Sequence, residues 1–240
     1  MKVSGGKSIY GASVGILMLE ARFPRIFGDM GNAQTWPFPV HYKIVRGASP
    51  DWVVRRRAEG LLDAFIEAAR ELEAEGVDGI TTNCGFLTLF QEDLAKAVKI
   101  PVVTSSLMQT ALVNRLLPQG KRAGILTISA STLTAEHLEK AGVPAGTPIG
   151  STERGVEFTR AILDNVETLD PELARKDNVE AAVAMKDEHP DLGALVLECT
   201  NMAPYAAAIR AATGLPVFTV VNFITWFQSA LRPPAYLLRD

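Results

Sequence analysis

Two cysteines are the residues of this chain whose type and spacing best suit chemistry. Cys84 and Cys199 each end a six-residue segment, GITTNC and ALVLEC, whose composition favours a buried strand. A proline that opens the next predicted strand follows each cysteine by seventeen positions, at residues 101 and 216. This repetition predicts two copies of one strand–helix–strand unit, each with a thiol at an equivalent place.

The predicted position of these thiols suggests proton transfer. Ligands of an open parallel sheet bind beyond the carboxyl ends of its strands, where both cysteines are expected to lie at the start of a helix. Free N–H groups and partial positive charge at a helix N-terminus can hold a carboxylate, and they should lower a thiol pKa. Two such thiols on opposite sides of one carbon could remove a proton from one face and supply one to the other. The alternative is two buried structural cysteines, but their matched positions favour catalysis.

The elements that must position the thiols alternate between strand and helix, which is typical of parallel sheets with helices on both faces. The predicted fold class is α/β, with two pseudo-symmetric βα lobes, each a mostly parallel sheet flanked by helices, and the site in the cleft between them. Residues 1–115 are predicted to form the first lobe and residues 116–220 the second, while 221–240 form a C-terminal helix and tail able to pack back on the first lobe. Strands are predicted at 14–19, 40–46, 77–82, 101–104, 122–128, 193–197 and 216–220.

Two stretches of the first lobe have distinct local patterns. Ser49 as N-cap and Pro50 at the first helical position predict a helix that runs to about residue 75 and is only weakened at Gly60. Segment 20–39, rich in Gly, Pro and aromatic residues, is expected to be irregular and to act as a lid or a subunit contact. Its part 28–32 is either a flexible loop over a site or a surface turn.

Composition and charge exclude several classes of function. The chain has 240 residues, of which 48% are hydrophobic and 21% charged, with a net charge of −3. It therefore lacks the basic surface that binding to nucleic acid or an anionic membrane requires. No run approaches the roughly 18 apolar residues of a membrane span, and two cysteines are not a disulfide framework, so a cytoplasmic location is expected. Neither a metal nor another cofactor is predicted, and a homo-oligomer is allowed but not required.

The segments around both cysteines resemble the paired motifs of the aspartate/glutamate racemase superfamily, which also holds hydantoin racemases, maleate isomerases, arylmalonate decarboxylases and some sulfonium lyases. The resemblance covers nearly the whole chain as a two-lobe pattern. Segment 198–201 (ECTN) matches the family's Cys-Thr motif, which implies that Thr200 binds a substrate carboxylate. The next position departs, because Asn201 cannot transfer a proton as the family's His or Glu can. Segment 83–86 (NCGF) differs from the Cys-Asn-Thr of amino-acid racemases and is closer to the hydantoin racemase branch.

This resemblance implies a cofactor-independent racemase or epimerase, an isomerase in which Cys84 and Cys199 act as acid and base for 1,1-proton transfer. The expected partner is a small carboxylate-bearing substrate, an amino acid or a hydantoin-like molecule. Two alternatives stay open. One is a lyase or isomerase on the same scaffold, which the missing ionisable group at Asn201 favours. The other is a non-catalytic protein that binds small acids.

Further candidate site residues follow from their positions at strand ends and in the motifs. Glu20 follows the first predicted strand, and Ser105 follows the strand after the first cysteine unit, where it could equally act as a helix N-cap. Phe86 could shape an apolar pocket or pack in the core. The predicted substrate-binding residues are Glu20, Asn83, Gly85, Phe86, Ser105, Thr200 and Asn201.

Overall fold

Two parallel sheets form the framework of the computed structural model, which describes residues 5–235. Residues 1–4 of the predicted first lobe and 236–240 of the predicted tail lie outside the described residues. The first sheet has the order β2-β1-β3-β4 and the second β6-β5-β7-β8, with every pairing parallel. The strands are β1 Val14–Leu19, β2 Val40–Val45, β3 Gly79–Thr82, β4 Val102–Val103, β5 Arg122–Thr127, β6 Ile149–Ser151, β7 Leu192–Leu197 and β8 Val217–Phe218. The predicted fold class of two α/β lobes is confirmed.

Helices cover both faces of each sheet, which explains why the central strands consist of apolar residues along their length. Every residue of β1 is buried, as are the last four residues of β7. The α-helices are α1 Pro50–Arg55, α2 Leu62–Glu75, α3 Gln91–Ala97, α4 Thr110–Leu116, α5 Ala135–Lys140, α6 Phe158–Leu163, α7 Pro171–Glu188, α8 Ala206–Thr213 and α9 Val220–Leu231. Short 3₁₀ helices occupy Ala33–Thr35, Gly85–Phe90, Ser106–Gln109 and Thr200–Tyr205. Judged by length and apolar character, no helix found between residues 5 and 235 qualifies as a membrane span.

The two lobes exchange their last helices. Helix α4 follows the first sheet but packs on the second, where Val113 joins Ala123, Ala194 and Val196 in one apolar cluster. Helix α9 follows the second sheet but packs on the first through Val220 and Ile224. The boundary predicted between residues 115 and 116 therefore runs through a helix that already packs on the second sheet.

The single helix predicted from residue 50 to residue 75 is wrong. The chain leaves α1 at Arg55 and re-enters a helix only at Leu62, with Arg57 and Ala58 in the left-handed region at φ 55° and 54°. Gly60, also left-handed at φ 74°, completes the reversal at little steric cost. The break lets α1 pack against α6 of the second lobe while α2 covers the first sheet, which one straight helix could not do.

Candidate active site

Both cysteines line one cavity between the lobes, at the carboxyl ends of β3 and β7. Each is the residue that precedes a 3₁₀ helix, and each is a free thiol. The apolar walls of the cavity are Leu19, Phe23, Pro50, Val54, Phe86, Ile128, Ile162 and Leu163. Its polar lining is Arg25, Asn83, Cys84, Glu198, Cys199, Thr200 and Asn201, with Gly85 between them. The duplicated architecture therefore brings together the two thiols that the sequence repeat singled out.

The cavity is nearly closed. Its free volume is about 20 Å³, a little more than the roughly 10–15 Å³ that one water molecule needs. Cys84 and Cys199 are only 9% and 8% exposed. A substrate larger than a water molecule can therefore bind only if the cavity opens.

Burial reverses the thiol pKa values expected from the helix N-termini. It raises the pKa of Cys84 to about 12, with the Glu198 carboxylate as the next cause, against the lowering effect of the Phe86 and Leu87 N–H groups. Burial and the same carboxylate raise the pKa of Cys199 well above its ordinary value. The expectation of lowered pKa values is wrong for this closed state, because loss of water outweighs the N–H groups. Both thiols are therefore proton donors until water or a positive charge enters.

Glu198 is an acidic group in the same cavity that the sequence analysis did not select. Its side chain is fully buried, and its Oε2 accepts a hydrogen bond of 2.7 Å from the Thr127 hydroxyl. Its Oε1 has no hydrogen-bond partner in the part of the chain that the structure describes. Burial raises the pKa of Glu198 to about 7. A charged residue at the end of the apolar run 194–197 was the signal that could have identified it.

Asn201 connects the second cysteine to a carboxylate of the first lobe. The Cys199 thiol donates to Asn201 Oδ1 at 3.5 Å, and Asn201 Nδ2 donates to Asp29 Oδ2 at 2.5 Å. Asp29 is buried, and its Oδ1 accepts from Arg25 at 3.0 Å and from the Gly31 N–H at 2.7 Å. The sequence missed Arg25 and Asp29, because only the folded path of segment 20–39 carries them to the second cysteine.

Segment 20–39 is anchored rather than loose. Met30 and Trp36 are buried in one cluster with β1 and α9. The Met30 carbonyl accepts from the Trp36 indole N–H at 3.1 Å and from the Tyr42 hydroxyl at 2.8 Å. Part 28–32 contributes Asp29, which accepts a hydrogen bond from Asn201 of the cavity lining.

Asn83 and Thr200 join the two motifs directly. The Thr200 hydroxyl donates to the Asn83 carbonyl at 2.6 Å, so it is already engaged and leaves only backbone N–H groups for a carboxylate. Asn83 Oδ1 accepts from the Leu19 N–H at 2.7 Å, while its Nδ2 has no partner among residues 5–235. Asn83 thus offers the cavity a free donor, as Glu198 offers a free acceptor.

Two predicted substrate-binding residues lie outside the cavity lining. Ser105 accepts from the Leu107 N–H at 3.2 Å, which is the N-cap role considered as its alternative. Glu20 lies on the surface, where it accepts from Arg46 at 2.7 Å and from the Gly47 N–H at 2.9 Å. These two donors hold the pKa of Glu20 below its ordinary value. The other predicted residues, Asn83, Gly85, Phe86, Thr200 and Asn201, line the cavity with the cysteines.

Two parallel-sheet lobes with one thiol each in a shared cavity define an α/β enzyme. Residues 55–227 match the sequence profile of Asp/Glu/hydantoin racemases, and the chain belongs to that family. The resemblance seen from the motifs is therefore confirmed. Groups of three His, Cys, Asp or Glu side chains suited to a metal ion do not occur within residues 5–235.

Several curated proteins similar to this chain are lyases. A dimethylsulfoniopropionate lyase from Durusdinium sp. clade D is 29% identical over 239 residues, which cover 95% of this chain and 78% of that protein. Dimethylsulfoniopropionate lyase 3 from Emiliania huxleyi (strain CCMP1516) is 30% identical, over 88% of this chain and 57% of that protein. The chain is thus similar in sequence to lyases, within a family named for racemases.

Solved structures confirm the two-lobe fold. An arylmalonate decarboxylase superposes with a TM-score of 0.61 at 16% identity, over 94% of this chain and 95% of that one. An allantoin racemase from Klebsiella pneumoniae gives 0.63 at 18% identity, over 91% and 87%. A glutamate racemase from Bacillus anthracis gives 0.59 at 16%, over 91% and 82%. At these identities the likeness concerns the fold alone.

Proposed function

We propose that this enzyme is a lyase that eliminates dimethyl sulfide from dimethylsulfoniopropionate and leaves acrylate. The observation that carries the proposal is the similarity of nearly the whole chain to dimethylsulfoniopropionate lyases, 95% of it in one case. The cavity supports it, since two thiols and a buried carboxyl group face a small space with apolar walls.

The elimination needs one base and no acid. The base removes a proton from the carbon beside the carboxylate, and the electron pair of that C–H bond forms the double bond of acrylate. The bond between the β-carbon and sulfur breaks, and its electron pair stays on sulfur, which leaves as neutral dimethyl sulfide. The proton then passes from the base to water. Because the leaving group is neutral, no second group has to protonate it.

We assign the base to Cys84. The N–H groups of Phe86 and Leu87 and the charge of Arg25 lower the pKa of Cys84, whereas at Cys199 the Asn201 N–H alone has this effect. The Cys199 thiol instead donates to Asn201 Oδ1, an acceptor that favours the protonated form. Cys84 is therefore the thiol better prepared to become a thiolate once a substrate enters.

The carboxylate of the substrate is assigned to Arg25 and the Asn83 amide. Arg25 is the one arginine in the cavity lining, and its guanidinium stacks over the Phe23 ring at 4.6 Å from the ring centroid. Its Nη1 already binds Asp29 at 3.0 Å, so the substrate carboxylate would bind the other N–H groups of the guanidinium. Asn83 Nδ2 is a donor without a partner among the residues described. Both groups could also stabilise the charge that develops on the carboxylate as the proton leaves.

Racemisation is the second candidate, and the matched placement of both thiols in one cavity favours it. A racemase must protonate the face opposite the one it deprotonates, so it requires both cysteines. A lyase of the proposed kind requires only the base.

The test compares wild type, Cys84→Ala and Cys199→Ala. Elimination is measured as dimethyl sulfide by gas chromatography and as acrylate by NMR. Proton exchange in deuterated water is followed for amino acids, hydantoins, substituted malonates and maleate. We expect wild-type elimination, a loss of about 10²–10⁴-fold in Cys84→Ala, and a smaller loss in Cys199→Ala. The lyase would be refuted, and racemisation supported, by two results together. Wild type would release no dimethyl sulfide, and it would exchange the proton of an amino acid or hydantoin, an exchange that both variants would lose.

A further inference from the structure

The free oxygen of Glu198 is the feature of the cavity that the elimination itself does not use. Glu198 is fully buried, and Oε1 has no hydrogen-bond partner within residues 5–235. A buried carboxylate oxygen without a partner is costly, so the group must either keep a proton or face a positive charge.

The surroundings of Glu198 fix its carboxyl group and leave one oxygen unpaired beside a residue of the cavity lining. The Thr127 hydroxyl binds Oε2 at 2.7 Å and holds the orientation of the group. Oε1 lies against Gly85, where the Cβ of any other residue would overlap it. Gly85 itself lines the cavity. The absence of a side chain at residue 85 therefore makes the room in which Oε1 stays unpaired.

No cation of the described residues neutralises Glu198. Arg25, the one basic residue of the cavity lining, is paired with Asp29 at 3.0 Å. The titratable groups that face Glu198 are the thiols Cys84 and Cys199, whose pKa values its charge raises. The groups that lower the pKa of Glu198 are neutral donors, the Thr127 hydroxyl of strand β5 and the Ile128 N–H. The cavity thus has an acidic position that calls for a cation supplied from outside.

We propose that Glu198 binds the positively charged onium group of the substrate, so that the site selects carboxylates with a sulfonium or quaternary ammonium substituent over neutral molecules of the same shape. This inference rests on the proposed function for the identity of the onium group. The methyl groups of such a cation suit the apolar walls, among them Leu19, Ile128 and Ile162. Arg25 and Glu198 would then bind opposite ends of one zwitterion.

Binding of a cation at Glu198 also affects the base. The Glu198 charge raises the pKa of both thiols, and a positive group beside it cancels that effect. The substrate would thereby promote the ionisation of Cys84, whereas a neutral analogue would not.

The test measures binding without turnover. The ligands are β-alanine betaine and its carbon isostere, in which a tert-butyl group replaces the trimethylammonium group, so that the two differ in charge and hardly in shape. Affinities are measured by calorimetry for wild type, Glu198→Gln and the surface control Glu139→Gln. We expect wild type and the control to prefer the betaine by about tenfold or more, and Glu198→Gln to bind both ligands equally. An unchanged preference in Glu198→Gln would overturn the proposal.

The pH dependence keeps the proposal testable even if Glu198→Gln does not fold. Because Glu198 ionises near pH 7, the wild-type preference for the betaine should fall as the pH is lowered through that value. Thr127→Val keeps the carboxyl group but removes its donor, so the pH midpoint of the preference should rise. A preference that is constant between pH 8 and pH 5 would refute the role of Glu198.

The two proposals fail separately. A preference for the betaine that depends on Glu198, without release of dimethyl sulfide, would refute the lyase and leave the cation site standing. Release of dimethyl sulfide with an unchanged preference in Glu198→Gln would refute the cation site alone.

Discussion

The raised pKa of Cys84 predicts a thiol that is almost inert in the free enzyme. A pKa of about 12 leaves about one thiol in 10⁴ ionised at pH 8, whereas an ordinary cysteine with a pKa near 8.5 has roughly one in four ionised. Since the thiolate is the reactive form, alkylation of Cys84 in the native protein should be about 10³-fold slower than in the unfolded chain. The narrow cavity would slow it further.

Alkylation by iodoacetamide, followed by mass spectrometry, measures this rate for each thiol. Cys199→Ala isolates Cys84, Cys84→Ala isolates Cys199, and the same variants unfolded in guanidinium give the reference rates. Addition of β-alanine betaine should promote ionisation of the thiols while excluding the reagent from the cavity, so only the free enzyme is informative. A native rate equal to or above the unfolded rate would refute the argument from burial. It would restore the view, suggested by the sequence, that the helix N-termini activate these thiols.

Three further predictions concern stability. Burial raises the pKa of Glu198 from an ordinary 4.5 to about 7, so between these pH values the folded state binds more protons than the unfolded state. The free energy of unfolding should therefore fall by up to roughly 3 kcal/mol as the pH rises from 4.5 to 7. Urea titrations of wild type and Glu198→Gln check this, since the variant should lose the pH dependence. Gly85→Ala should destabilise by about 1–3 kcal/mol through overlap with Glu198, measured by the same titration, and a neutral result would contradict the packing described. Asn201→Ala should cost about 1–3 kcal/mol, because Asp29 loses a buried donor, whereas an exposed variant such as Glu139→Gln should cost little.

The repeat in the sequence was enough to predict the fold and the central residues of the site. Apolar strands that end in Cys84 and Cys199 imply parallel sheets, and parallel sheets place their carboxyl ends at one edge. The structure accordingly brings both cysteines and five of the seven predicted binding residues to one cavity. These residues are neighbours of the cysteines in sequence, which is why local patterns could identify them.

Features that depend on distant parts of the chain could not be predicted in this way. The break of the helix after Arg55 is needed only because α1 and α2 cover different lobes. Arg25 and Asp29 enter the site because Met30 and Trp36 anchor their segment to β1 and α9. The direction of the thiol pKa shift depends on how tightly the lobes close, and motifs contain no information about closure.

The substitution at residue 201 and the charge at residue 198 fit one chemical requirement. A racemase needs a proton-transferring group on each face of the substrate carbon, because both faces exchange protons. Elimination of a neutral thioether needs protonation at neither face, so Asn201 can serve instead to bind Asp29 and close the cavity. The substrate of such an elimination must, however, carry a cation into a closed apolar space, where an unpaired charge is costly. Glu198 supplies the negative charge that such a cation needs. Asp29, the other buried carboxylate beside the cavity among the described residues, is already bound by Arg25, Gly31 and Asn201. An amide at residue 201 and an acid at residue 198 are therefore what the proposed onium elimination would require of this cavity.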